Sequence, residues 1–158
     1  TETLATNRPS APSQRSVLIV DDSMAVRGYL RSMLEPRGLI VTDVASAEEG
    51  VDAAGADSYA CILMDVLMPG IDGYEACRRI KGRARSGTGA AIVMLTSKSS
   101  PFDRIRGKMA GCDAYLTKPV DPQTLYEVLS RFIPGPAQST AAIPPRTWVT
   151  SAVPGRMP

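Results

Sequence analysis

The sequence predicts an α/β fold, a doubly wound five-stranded parallel sheet with five helices divided between its two faces. Three observations predict it. Apolar runs of four to six residues, too short for helices, alternate with apolar stripes at helical spacing through most of the chain. Most of those runs are apolar throughout, without a polar residue at every second place, the pattern of strands buried on both sides. Strand and helix signals alternate strictly, which calls for parallel strands joined by helical crossovers.

Each element follows from local chemistry. Val17 to Val20 (VLIV) forms a strand that stops at Asp21 and Asp22. Ser23 caps a helix whose stripe is Val26, Tyr29, Leu30, Met33 and Leu34, ending before Gly38. Ile40 to Ala45 is the second strand, and Ser46 with Glu49 forms a capping box for a helix carrying Ala47, Val51 and Ala54 and stopping at Gly55. Ala60 to Met64 (ACILM) is the third strand, followed by Asp65 and by a helix from Gly73 through Tyr74, Cys77 and Ile80. Ala91 to Leu95 (AIVML) is the fourth. Pro101 suits the first turn of the next helix, with Phe102, Ile105 and Met109 expected inward and Gly111 closing it. Ala114 to Thr117 is the fifth strand, and Asp121 with Pro122 opens a last helix with Leu125, Val128, Leu129 and Phe132 on one face.

Composition narrows the function. The chain has 158 residues, of which 44% are apolar and 5% aromatic, enough for one core and too few rings for a base-stacking surface. Eighteen basic residues against 16 acidic ones leave no global field that would imply nucleic acid or membrane as a direct partner. Histidine is absent, which excludes a Ser-His-Asp or Cys-His nucleophile and a His-ligated haem, and three dispersed cysteines provide no zinc site. Sparse, odd cysteines and the lack of a signal-like or 18-residue apolar segment lead to the expectation of a cytoplasmic protein. Eight of the 13 prolines lie in residues 1–14 and 134–158, read as a flexible N-terminal segment and a Pro-rich flexible C-terminal tail around a domain at 15–133. Trp148 in the tail is either incidental or an anchor for a groove.

In such sheets ligands bind beyond the carboxyl ends of the strands. There the chain places Asp21 and Asp22, Asp65, Thr96 and Lys118, each just past a different strand. Three crowded carboxylates repel unless a cation sits among them, and Mg2+ is served by one or two carboxylates together with a phosphate oxygen. Lys118 would then act as a point charge on a phosphoryl oxygen and the Thr96 hydroxyl as a hydrogen-bond donor.

The segments VLIVDDS (17–23), LMDVLMPGIDG (63–73), VMLTS (93–97) and DAYLTKP (113–119) resemble the receiver domain of bacterial two-component response regulators. The resemblance covers about Val17 to Phe132. It implies a flavodoxin-like sheet of strand order 2-1-3-4-5, a phosphoacceptor at Asp65, and magnesium held by Asp21, Asp22, Asp65 and the backbone carbonyl of Leu67. Thr96 and Lys118 match the family's hydroxyl and lysine, Tyr115 its rotating switch aromatic, and Pro119 a proline preceded by a cis peptide bond. The implied reaction is transfer from the phosphohistidine of a sensor histidine kinase or phosphotransfer protein, or from a small phosphodonor, to Asp65. Thr96 would then move toward the phosphoryl group, Tyr115 would swing inward, and the surface of the fourth helix, fifth strand and fifth helix would change its downstream protein partner. Such a protein is a monomer or a phosphorylation-dependent dimer, and it is not an enzyme beyond slow loss of its own phosphate. The segment SKSSPFDRIRGKMAGCDAYLTKP is similar to regulators of chemotaxis-like and twitching-motility pathways.

Some expectations concern single positions. Leu67 and Lys98 are expected to tune the lifetime of the acyl phosphate, and the stretch between Lys81 and Ala91 to form a mobile loop. Arg78, Arg79, Lys81, Arg83 and Arg85 read as a solvated helix end, whereas Arg104, Arg106 and Lys108 would lie on the output face. Rival readings are a receiver fragment of a larger multidomain regulator, a magnesium-dependent phosphatase or phosphotransferase on a similar sheet, and an interaction module that needs no phosphorylation. A dinucleotide site has no support, since no GxGxxG follows the first strand.

Overall fold

The structure, a computed structural model, describes residues 15–83, 89–97 and 101–133, with backbone alone for 101–104. The segments 1–14 and 134–158, Trp148, Lys98 and Arg85 lie outside the described residues, as does most of the stretch expected to be a mobile loop. The elements are β1 (Ser16–Val20), α1 (Met24–Leu34), a 3₁₀ turn (Glu35–Arg37), β2 (Ile40–Val44), α2 (Ala47–Ala56), β3 (Cys61–Asp65), α3 (Gly73–Arg83), β4 (Ala91–Thr96), α4 (Pro101–Ala110), β5 (Ala114–Thr117) and α5 (Pro122–Leu129). All strand pairs are parallel, in the order β2-β1-β3-β4-β5.

The two-residue period of the strands divides the core into two layers. Val17, Ile19, Cys61, Leu63, Val93, Leu95, Ala114 and Leu116 pack under α1 and α5 with Leu30, Leu34, Leu125 and Leu129. The alternate residues, Leu18, Val20, Ile62, Met64, Ile92, Met94 and Tyr115, face α2, α3 and α4. β1, β3 and β4 are therefore buried along their whole length, while the edge strand β2 is only partly covered. Each large side chain removed from water contributes about 1.5–3 kcal/mol, which holds the strand ends in fixed register.

Caps form where the sequence places them. The Ser23 and Ser46 hydroxyls accept the N–H groups of Val26 and Glu49, the Glu49 carboxylate accepts the Ala45 N–H, and the Asp121 carboxylate accepts the Thr124 N–H. Gly38 and Gly111, in left-handed conformation (φ 85° and 96°), end the first and fourth helical segments. Helix α2, in contrast, runs past Gly55 to Ala56, because the Asp57 N–H still reaches the Ala53 carbonyl at 3.1 Å. A glycine weakens a helix by about 1 kcal/mol relative to alanine without forbidding it.

Two stripes turn differently from expectation. On α4, Ile105 and Met109 are exposed (55% and 79%), and the buried residues are Gly107 and Ala110. The small pair faces α3, where the Cys77 thiol donates to the Ala110 carbonyl, and the larger side chains point away from it. On α1, Tyr29 is 46% exposed, its hydroxyl donating to the Val120 carbonyl at 3.1 Å instead of joining the core.

Candidate functional site

The parallel sheet delivers its polar residues to one end. Asp21 follows β1, Asp65 ends β3, Thr96 ends β4, and Lys118 follows β5. Asp21, Asp65 and Thr96 are all buried (0%, 5% and 4% exposed), whereas Asp22 is exposed. The Lys118 ammonium donates to Asp21 Oδ2 at 2.9 Å and to Asp65 Oδ1 at 3.0 Å, bridging the carboxyl ends of the paired strands β1 and β3. The Lys118 N–H donates to the Thr96 carbonyl at 2.7 Å, and the Lys118–Pro119 peptide bond is cis, as the resemblance implies.

One lysine does not balance three acids. Burial pushes the Asp65 carboxyl above the ordinary carboxylate range; the charges of Asp21 and Asp22 add to this, and the Lys118 hydrogen bond only partly opposes it. For Lys118, burial works against the charge, yet hydrogen bonds to Asp21 and Asp65 prevail and hold the ammonium above its ordinary value. Asp21, Asp22 and Asp65 each offer an oxygen within 4.8 Å of the others. Hard oxygen donors, a net negative cluster and one exposed member fit a small divalent cation that keeps part of its water.

The loop after Asp65 is fixed by its own chemistry. The Gly73 N–H donates to the Val66 carbonyl, and a Cβ at Gly73 would stand 2.2 Å from the Asp65 carbonyl oxygen, so only glycine fits there. Gly70 is left-handed (φ 85°), and Glu48 at the start of α2 accepts the Ile71 N–H at 3.2 Å. Leu67, between these anchors, exposes 65% of its surface.

Tyr115 already stands inward, 1% exposed, with its hydroxyl 3.4 Å from that of Tyr74. The Arg106 guanidinium on α4 lies 4.3 Å over the Tyr74 ring and 3.5 Å from Asp72. Lys81 departs from a solvated helix end and pairs with Asp113 at 2.7 Å, while Arg78 and Arg79 pair with Glu75.

Sequence reasoning passed over Arg27, Glu48 and Tyr74. Arg27 donates from Nη1 to the Asp21 carbonyl at 2.9 Å and from Nε to Asp43 Oδ2 at 2.8 Å. Its spacing of six residues from Asp21, less than two turns into α1, was the available signal; that β2 would place Asp43 opposite it is a matter of topology.

Known proteins share this arrangement. Residues 17–130 match the response regulator receiver domain family. Protein PilH of Pseudomonas aeruginosa is 34% identical over 119 residues, covering 75% of this chain and 98% of that protein. The chemotaxis protein CheY4 of Vibrio cholerae superimposes with a TM-score of 0.68 at 32% identity, over 75% of this chain and 98% of that one. The receiver domain of the sensor histidine kinase PA1611 from P. aeruginosa, solved with a magnesium ion coordinated in its active-site cleft, gives 0.68 at 33%, over 75% and 96%. With its strand order, its acidic cluster beside a lysine, and these relatives, the chain belongs to the response regulator receiver domain family.

Proposed function

We propose that the chain accepts a phosphoryl group on Asp65 from the phosphohistidine of a sensor histidine kinase or phosphotransfer protein, in a magnesium-dependent reaction, and signals to a protein partner through the surface of α4, β5 and α5. The observation that carries this is Lys118 held between the buried carboxylates of Asp21 and Asp65, in an acidic cluster completed by exposed Asp22. An Asp65 carboxylate oxygen attacks phosphorus, the P–N bond to imidazole breaks, and the imidazole leaves with its electron pair. The transition state is loose, so position and opposite charge are what the protein supplies. Asp21, Asp22, Asp65 and the Leu67 carbonyl would hold Mg2+, which when bound neutralises charge on the phosphoryl oxygens. Lys118 can transfer one hydrogen bond from Asp65 to the arriving phosphoryl group while keeping the other on Asp21.

In this reading the chain turns over no separate substrate, because the group modified is its own side chain. Its setting is the cytoplasm; among the described residues no helix is long and apolar enough to cross a membrane. The test is incubation with acetyl phosphate and Mg2+. Wild type gains the mass of one phosphoryl group, Asp65→Asn gains none, and a chelator abolishes uptake. Uptake by the Asn variant, or none by wild type, sinks the reading.

A further inference from the structure

We propose that Arg27 is a positioning residue for the magnesium-binding loop, bolting the main chain of Asp21 to Asp43 on the edge strand. This rests on the reading of the acidic cluster as a metal site. Asp21 is held at four atoms. Its N–H donates to the Val44 carbonyl at 3.2 Å, Oδ1 accepts the Ser23 N–H at 2.9 Å, Oδ2 accepts Lys118, and its carbonyl accepts Arg27 Nη1. The last is a side-chain clamp on the main chain, and it has a rigid base. Asp43 gives Oδ2 to Arg27 at 2.8 Å and Oδ1 to Arg31 at 2.6 Å, so both carboxylate oxygens are engaged. Arg31 is in turn paired with Glu35. The Arg27 side chain is only 16% exposed, which confines its fork to these two acceptors.

Geometry and charge predict opposite effects for the loss of Arg27. Removing a positive charge beside an acidic cluster strengthens its attraction for a cation. Removing the clamp frees the peptide of Asp21 and spoils the convergence of Asp21 with Asp22 and Asp65, which weakens cation binding. Outer-shell partners of metal ligands typically account for 10- to 100-fold in affinity. A planar guanidinium spans two acceptors at once, whereas a lysine ammonium retains the charge and loses the span.

The experiment titrates the full chain with Mg2+ and no phosphodonor, following the amide shifts of Asp21 and Asp22, in wild type, Arg27→Ala, Arg27→Lys and Arg31→Ala, each checked by thermal melt. Arg27→Ala and Arg27→Lys are expected to bind Mg2+ about tenfold more weakly. Arg31→Ala, which loses contacts to Asp43 and Glu35 and none to Asp21, should stay within about twofold of wild type. Arg27→Ala binding as tightly as wild type or tighter overturns the inference, as does a lysine variant that behaves like wild type or an Arg31→Ala that weakens as much. In those cases wild type still binds Mg2+ and the metal reading stands. Absence of Mg2+ binding by wild type overturns the metal reading and this inference together.

Discussion

Both ends of the sheet carry a lysine set against buried carboxylates, and the two lysines are almost equally exposed, 24% for Lys81 and 22% for Lys118. At the amino end Lys81 meets one acid, Asp113, whose Oδ2 also accepts the Ile92 N–H at 2.8 Å, while the ammonium reaches the Ala90 carbonyl at 3.1 Å. Charge and hydrogen bonds close there. At the carboxyl end Lys118 meets Asp21 and Asp65, with Asp22 beside them and, among the described residues, no second cation among the charge partners of Asp65. A balanced pair holds strands together, and an unbalanced one stores a demand for a positive partner. The same residue types thus form a closed pair at one end and an acidic cluster with a charge to spare at the other.

The largest effect on stability should come from the balanced end. Asp113→Ala leaves Lys81 without its acid and the Ile92 N–H without its acceptor, at a cost of about 3 kcal/mol in urea unfolding. Phosphoryl uptake per folded molecule should be unchanged. A loss well under that figure with uptake impaired would break the division of labour between the two ends.

Asp65→Asn should do the opposite, stabilising the protein by about 1 kcal/mol at pH 7 without divalent cations, because a buried, crowded charge is removed. Burial raises the Asp65 carboxyl in the fold above its unfolded value, so the folded state binds that proton more tightly. The wild-type penalty is present in full above the raised value and vanishes below the ordinary carboxylate value. The advantage of the variant should therefore shrink as pH falls through that window, and Mg2+ should stabilise wild type the more. A variant less stable than wild type at pH 7 in a chelator would show that Lys118 already balances the site.

The smallest effect concerns the thiols. Cys61, Cys77 and Cys112 are buried and free; burial pushes Cys77 up to about 12 and the other two higher still. A disulfide reagent at neutral pH should leave all three untouched in the native protein during the time in which it consumes them in denaturant.

The strand ends were legible in the sequence because uninterrupted apolar runs stop abruptly at Asp21, Asp65 and Thr96, and a parallel sheet must bring such ends together. Capping residues were legible for the same local reason. The orientation of α4 was not: Ile105 and Met109 obey helical spacing, but so do Gly107 and Ala110, and which stripe lies inward depends on how near α3 comes. Nor was the pairing of Lys81, since a charged residue at a helix end reads as solvated until its partner, 32 residues away in sequence, is known to lie opposite; the contact of Arg106 with Asp72, across 34 residues, was equally hidden. The contact between the Tyr115 and Tyr74 hydroxyls spans 41 residues, and no local pattern contains it.

The bond between Asp21 and Lys118 joins residues 97 positions apart. During synthesis, a chain that has emerged only through β4 holds Asp21, Asp22 and Asp65 but not yet Lys118, so the repulsion among these three acids works against early closure. The charge bonds of Asp21 and Asp65 with Lys118 can therefore close only when the final strand docks.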